Sequence, residues 1–205
     1  SAVALFGGAV AEERLRELMR FAVGDRDACW LRVSLFSPEI WARTPSWRGA
    51  PRVMTVVSPP PSQLAETLRA DVQVHARHLP EIKHTATLDL VHARRTARKA
   101  GFDDALFVDG EGVISEGSTW NVGFVKGDRV TWPQAPMLAG VTQGLIQDGL
   151  ALVGLAFETR PVRIADLGEF DTAFFCNSTT PACVITAIGG HAFRTDAAII
   201  DRLTA

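Results

Sequence analysis

Tyrosine is absent from this chain and lysine is scarce, because the only lysines are Lys83, Lys99 and Lys126. Without tyrosine, no phenol group can serve as an acid, a base or a contact for a cofactor. Chemistry that needs a primary amine in a side chain is limited to three positions. Arginine carries most of the positive charge instead.

Cysteine is also rare. Cys29, Cys176 and Cys183 are odd in number and lack the spacing of metal ligands, so they predict neither a disulfide framework nor a zinc site. The five histidines show no metal spacing either. Reduced thiols are typical of the cytoplasm, where we expect this protein.

Excess charge and long apolar runs are missing as well. The formal net charge is −2, which does not favour nucleic acid or anionic lipid as a partner. No stretch approaches the roughly 20 consecutive apolar residues of a membrane-spanning helix. Residues 1–11 contain no basic leader, so we expect a protein that is neither exported nor bound to a membrane.

The first part of the chain predicts a small α+β domain. Apolar residues at helical spacing predict a helix from Ala11 to near Gly24. Short apolar runs predict strands over residues 29–37 and 52–58.

Three consecutive prolines within residues 58–62 then interrupt the pattern, because proline fixes an extended backbone and cannot donate to a sheet. We place the domain boundary there. Residues 1–62 are predicted to form the small domain and its linker, and residues 63–205 a larger domain.

The larger domain is predicted to be rich in strands. Helices are expected over residues 85–99 and from Gly140 onward. The first should turn Arg94, Arg95 and Arg98 outward. The buried side of the second is predicted to consist of Leu145, Ile146, Leu150 and Val153. The predicted strands are residues 72–76, 105–108, 113–115, 121–125, 130–132, 157–164, 172–176 and 183–188.

Two side chains in this domain suggest chemistry. Lys83 lies where a strand-rich segment passes into a helix, and a partly buried lysine at such a junction can form a Schiff base. Glu116 follows an apolar strand, and a buried carboxylate there could keep a heteroaromatic ring nitrogen protonated. The alternatives are an ordinary surface lysine and a glutamate in a polar turn.

Two segments could bind phosphate. Val141 and Thr142 open a helix, where free N–H groups and the helix dipole favour anions. Ser178 and Thr179 lie in a second loop rich in hydroxyl groups. The alternatives are a helix N-cap at Thr142 and an ordinary polar loop.

An amine, a carboxylate and two phosphate-binding segments are the groups that pyridoxal 5′-phosphate requires. The sequence resembles the class IV, or fold-type IV, pyridoxal-phosphate enzymes, which include branched-chain and D-amino-acid aminotransferases and aminodeoxychorismate lyases. The resemblance extends from about Pro80 to Thr186. Its motifs are AGFDDAL at residues 100–106, VISEG at 113–117 with Asn121, LAGVT at 138–142 and NSTT at 177–180.

The resemblance implies an α/β (α+β) fold of type IV, with a small N-terminal α+β domain and a larger strand-rich C-terminal domain that hold the cofactor in a cleft between them. It implies that Lys83 forms the Schiff base and moves the proton, that Glu116 pairs with the pyridine nitrogen, and that Asn121 organises that loop. It also implies a homodimer. The phosphate would be held by Val141, through its backbone N–H, and Thr142, together with Ser178 or Thr179.

Two departures from the family pattern stand out. Aminotransferases usually carry a tyrosine five residues after the lysine, where this chain has Leu88, and this feature resembles the lyase branch. Relatives also carry further strands ahead of the first helix, with an arginine that binds the phosphate. Either such a segment precedes residue 1 in the natural protein, or another arginine substitutes for it. The candidates are Arg43, Arg48 and Arg77.

The sequence therefore predicts an aminotransferase that uses pyridoxal phosphate to transfer an amino group between a small amino acid and a 2-oxo acid. One alternative is a lyase that eliminates pyruvate from aminodeoxychorismate on the same cofactor. A second alternative is a relative without cofactor that acts as a binding protein. No metal is expected.

Overall fold

A computed structural model describes residues 2–40, 43–60 and 67–204 of the chain. They fall into two compact units, Ser1–Gln63 and Leu64–Ala205. The predicted boundary between residues 62 and 63 lies outside the described residues and stays a prediction. Within the described ranges, no helix is long and apolar enough to cross a membrane.

The first unit combines two helices with a two-stranded antiparallel sheet. Its elements are α1 (Ala2–Phe6), α2 (Glu12–Val23), β1 (Trp30–Phe36) and β2 (Arg52–Ser58). The helix predicted over residues 11–24 is thus confirmed, and it ends at Gly24, whose φ of 57° is open to glycine. Helix α2 contacts both strands. In the described part of this unit, only Phe6 and Pro51 are buried.

The second unit is built on a nine-stranded sheet in the order β5-β4-β3-β10-β9-β6-β7-β8, with β11 paired to β10. Its strands are β3 (Thr67–Val74), β4 (Asp104–Val108), β5 (Ile114–Gly117), β6 (Asn121–Lys126), β7 (Arg129–Pro133), β8 (Ala156–Arg160), β9 (Thr172–Asn177), β10 (Thr180–Ile188) and β11 (His191–Ala192). Its helices are α3 (Leu88–Lys99), α4 (Val141–Gly149) and α5 (Ala197–Thr204), with 3-10 helices at Leu150–Val153 and Ile164–Glu169. The strand β3 is parallel to both β4 and β10.

The centre of this sheet is buried on both faces. Successive residues of β9 show this most clearly, because side chains alternate between the two faces of a strand. Ala173 and Phe175 join one hydrophobic cluster, whereas Phe174 and Cys176 join another that includes residues of α4 and α5.

Three element boundaries differ from the prediction. The strand β3 begins at Thr67 instead of residue 72. Helix α3 begins at Leu88 instead of residue 85, with Thr87 as its N-cap. In the preceding loop the His84 ring forms a 2.7 Å hydrogen bond with the His78 carbonyl. The strand predicted over residues 157–164 ends at Arg160, since Pro161 cannot donate to the sheet.

Two predictions about side chains are also wrong. Leu145 is 66% exposed, because α4 turns Gln143 and Ile146 inward instead. Arg94 does not simply face solvent, because its Nε lies 3.2 Å from the buried carboxylate of Asp104.

Candidate active site

Glu116 lies near the end of β5 and is only 5% exposed. Its Oε1 has no hydrogen-bond partner among the described residues. Burial raises the pKa of this carboxyl to about 7, against the opposing effects of the Arg77 charge, the Leu138 N–H and the Lys83 charge. A buried carboxyl with a free oxygen can accept a hydrogen bond from a cationic ring nitrogen.

The loop between β3 and α3 brings two cations to Glu116. Lys83 is exposed in this loop, and its positive charge lowers the pKa of Glu116, as does that of Arg77. The Nε of Arg77 is buried without a hydrogen-bond partner in the described structure. From the sequence, Arg77 was a candidate only for the phosphate-binding arginine, whereas in the structure its charge lowers the pKa of Glu116.

Asn121 connects this carboxyl to the start of α4. Its Nδ2 donates to the Leu138 carbonyl at 3.0 Å, while the Leu138 N–H donates to Glu116. A Cβ atom added at Gly140 would lie 2.0 Å from the Asn121 Oδ1. The small size of Gly140 therefore lets Asn121 pack directly against the segment that opens α4.

The N-terminus of α4 offers unpaired backbone donors. The N-cap residue, Gly140, has no side chain that could cap the helix. The N–H groups of the first turn are therefore available to a ligand. The Val141 side chain is 79% exposed, and this residue can reach an anion only through its backbone.

The hydroxyl-rich segment is a tighter turn than predicted, since Ser178 and Thr179 alone separate β9 from β10. The Asn177 Oδ1 accepts hydrogen bonds from the Thr179 N–H at 3.0 Å and the Thr179 hydroxyl at 2.7 Å. It also accepts one from the Thr180 N–H at 3.0 Å. The Thr179 hydroxyl thus already donates to Asn177, so in the described structure the Ser178 hydroxyl is the better placed donor for a ligand. The Thr180 hydroxyl also lacks a partner there but is buried.

A cavity of about 610 Å³ brings Thr142 together with Ser178 and Thr179. Most of its remaining wall is apolar and comes from α4, the following 3-10 helix and α5. Lys83 and Glu116 do not line it. The predicted site residues thus form two groups, an amine with a carboxyl and a set of hydroxyl groups at a helix start, with Asn121 and Leu138 between them.

Trp120 is a core residue and does not line the 610 Å³ cavity. Its side chain is 3% exposed and packs against Phe175, with ring centroids 5.6 Å apart. A Cβ atom at Gly117 would lie 2.0 Å from the indole. Because Gly117 has no side chain, the Trp120 ring can pack directly against its backbone.

Comparison with known proteins identifies the same family along most of the chain. Residues 32–188 match the family model described as amino-transferase class IV. A curated putative branched-chain-amino-acid aminotransferase from Methanocaldococcus jannaschii is 25% identical over 151 residues, which cover 70% of this chain and 52% of that protein. This chain therefore spans about half the length of that relative.

Solved structures share the fold. A branched-chain aminotransferase from Thermoproteus uzoniensis, with norvaline, superposes with a TM-score of 0.80 at 20% identity and covers 98% of this chain and 72% of its own. A putative 4-amino-4-deoxychorismate lyase from Legionella pneumophila gives 0.85 at 18% identity, with 95% and 75% covered. An aminotransferase from Brucella abortus bound to PLP gives 0.81 at 18% identity, with 95% and 74% covered.

Proposed function

The chain belongs to the class IV aminotransferase family, and from this premise we propose that it transfers an amino group between a small amino acid and a 2-oxo acid, with pyridoxal 5′-phosphate as its cofactor. One observation carries the proposal. The carboxyl of Glu116 is buried, and its Oε1 has no hydrogen-bond partner in the described structure.

Two observations support the cofactor: the free Oε1 of the buried Glu116, and the cavity that Thr142 shares with Ser178 and Thr179. Glu116 would hold the pyridine nitrogen with its free carboxyl oxygen, and Lys83 would hold the aldehyde end. Val141 and Thr142 would hold the phosphate through backbone N–H groups at the start of α4, and Ser178 would add its hydroxyl. Thr179 would join them only by giving up its hydrogen bonds to Asn177. Bound pyridoxal phosphate supplies an electron-withdrawing ring that stabilises negative charge on the substrate.

Residues of the protein would have separate roles in the reaction. Glu116 is buried, so an ion pair with a protonated ring nitrogen is stronger there than in water. A cationic partner favours the ionised carboxyl and opposes the effect of burial on its pKa. The Lys83 Nζ is the amine that would take up and return the substrate proton. Asn121 and Leu138 would keep the start of α4 in register with Glu116.

Elimination of pyruvate from aminodeoxychorismate is a second candidate for the reaction. It is favoured by Leu88, which stands where aminotransferases of the family usually have tyrosine. This side chain is 82% exposed at the first residue of α3. Leucine has no hydroxyl group to contact the cofactor. In an aminotransferase, another residue would therefore have to adjust the properties of the Schiff base between Lys83 and the cofactor.

An absorbance experiment tests the cofactor and Lys83 together. Protein incubated with pyridoxal phosphate and then desalted is expected to keep a visible band that borohydride removes. Lys83→Ala should lose the band, whereas Lys99→Ala, which alters an exposed lysine at the end of α3, should keep it. A wild-type protein that stays colourless would favour the cofactor-free binding protein instead.

Product analysis separates the two reactions. Formation of a new amino acid from a 2-oxo acid, dependent on an amino donor, is expected for the transaminase. Pyruvate released from aminodeoxychorismate without any amino acceptor would identify the lyase. The proposal also includes a cytoplasmic homodimer, on the family resemblance, and a molar mass measured by light scattering tests the dimer.

A further inference from the structure

The carboxyl group of Asp104 is buried at the start of β4 and has three partners. Its Oδ1 accepts hydrogen bonds from the Ser118 hydroxyl at 2.6 Å and from the Ala105 N–H at 2.8 Å. Its Oδ2 lies 3.2 Å from the Arg94 Nε. The side chain of Asp104 is 5% exposed, and Ser118 is fully buried. A carboxylate so deeply buried persists only when it is paired and hydrogen-bonded. We call Arg94, Asp104 and Ser118 the Asp104 network.

The Asp104 network fixes the chain immediately after Glu116. Ser118 follows Glu116 by two residues, and its N–H donates to the Ala105 carbonyl at 3.1 Å. Gly117 pairs with Leu106 across β4 and β5. The end of β5 is therefore held to the start of β4 by a side chain and by the backbone.

The Glu116 carboxyl depends on that support, because the protein gives it few contacts of its own. In the described residues its Oε1 has no partner, and the Leu138 N–H is its backbone hydrogen bond. The direction of the carboxyl is thus set by the backbone at the end of β5. Among the described residues, Arg77 and Lys83 are the charges that act on its pKa, and Asp104 is not.

We propose that Asp104 is a positioning residue that fixes the Glu116 carboxyl through Ser118. Arg94 lies on α3, the helix that follows the Lys83 loop, and its positive charge offsets the negative charge of Asp104. The same buried carboxylate therefore joins α3 to the strand that carries Glu116. This inference rests on the proposed role of Glu116 as the group that holds the cofactor's ring nitrogen.

The test compares two serines that flank Glu116. Ser118→Ala removes the hydroxyl that donates to Asp104. Ser115→Ala is the matched control, because it removes a hydroxyl that donates to the Phe107 carbonyl at 3.3 Å, outside the Asp104 network. The pKa of Glu116 is measured in cofactor-free protein by infrared difference spectroscopy, with Glu116→Gln to assign the band.

In Ser118→Ala the end of β5 loses its support, and we expect the Glu116 carboxyl to reach water. The pKa of Glu116 should therefore fall from about 7 by about one pH unit or more. The dissociation constant of pyridoxal phosphate, measured by fluorescence titration, should rise about tenfold. Ser115→Ala should match the wild-type protein in both measurements.

Thermal unfolding, followed in parallel, detects a merely structural role. If Ser118→Ala lowers only the melting temperature and keeps the wild-type pKa and dissociation constant, the proposal is overturned. If Ser118→Ala does not fold, Asp104→Asn decides, since it keeps the acceptor but loses the charge-assisted bond. A smaller change in the same direction supports the proposal, and wild-type values overturn it.

Failure of this inference can be distinguished from failure of the proposed function. A wild-type protein that forms no visible band with pyridoxal phosphate argues against the cofactor. The pKa of Glu116 in the serine variants is measured without cofactor, and it therefore tests the Asp104 network in either case.

Discussion

The carboxyl of Glu116 keeps its proton well above the ordinary range, because burial raises its pKa from 4.5 to about 7. In the unfolded chain the same group releases its proton near the ordinary value. Between these two pH values the folded state binds more protons than the unfolded state, so rising pH destabilises the fold. The destabilisation by Glu116 is constant above pH 7 and is absent below pH 4.5.

Glu116→Gln should remove this dependence from the cofactor-free protein. The free energy of unfolding of the wild-type protein, relative to that of Glu116→Gln, is expected to fall by about 3 kcal/mol as the pH rises through this range. Urea denaturation at several pH values measures the difference, and other titrating groups cancel in the comparison. Parallel pH profiles for the two proteins would show that Glu116 titrates normally.

At the scale of elements, the start of α4 depends on one close approach. Gly140 has φ −73° and ψ 134°, a backbone conformation that any residue can adopt. A larger residue at this position is therefore excluded by the Asn121 Oδ1 and not by the backbone. Gly144 lies inside the same helix and has free space around it. These two glycines form a matched pair for substitution.

Gly140→Ala should push Asn121 away from Leu138 and cost on the order of 1–3 kcal/mol of stability, together with affinity for pyridoxal phosphate. Gly144→Ala should stabilise the protein by roughly 0.5–1 kcal/mol, because alanine is the better helix former. Urea denaturation and titration with the cofactor measure both effects. Equal stability of the two variants would mean that the Gly140 contact is unimportant.

The sequence predicts much of each element but little of what joins elements. The helix ending at Gly24 and the strand over Arg52–Ser58 are local patterns, and both are found in the structure. The start of β3 was missed although its first four residues alternate between exposed and buried positions, as in a half-buried strand. Its two parallel neighbours are distant in sequence, and no local pattern indicates them.

In the site, too, local motifs were predicted and contacts between distant residues were not. Lys83, Glu116 and Thr142 were identified by residue type and motif, yet the hydrogen bond from Ser118 to Asp104 crosses 14 positions, and that from Asn121 to Leu138 crosses 17. Such pairs have no local periodic signal. Only the folded sheet brings them together.

At the scale of the whole molecule, the two units differ in how much they bury. The hydrophobic clusters lie in the second unit, whereas α2 has no buried residue. Segments with few buried apolar contacts open at a lower free energy than core strands.

Native-state hydrogen exchange should therefore show lower opening free energies for the amides that pair β1 with β2 than for those that pair β6 with β9. The comparison uses the intact chain at one pH and temperature. Equal protection in the two sheets would contradict this expectation and would indicate that the first unit is stabilised beyond its own contacts.

The position of β3 within the sheet has a consequence for biosynthesis. It is the first strand of its sheet in the chain but lies in the middle, and the Thr186 hydroxyl reaches its Leu68 carbonyl across 118 positions. During translation one edge of β3 must stay unpaired until β10 has left the ribosome. An uncovered strand edge invites mispairing between nascent chains. The yield of correctly folded protein therefore depends on how long translation leaves that edge open.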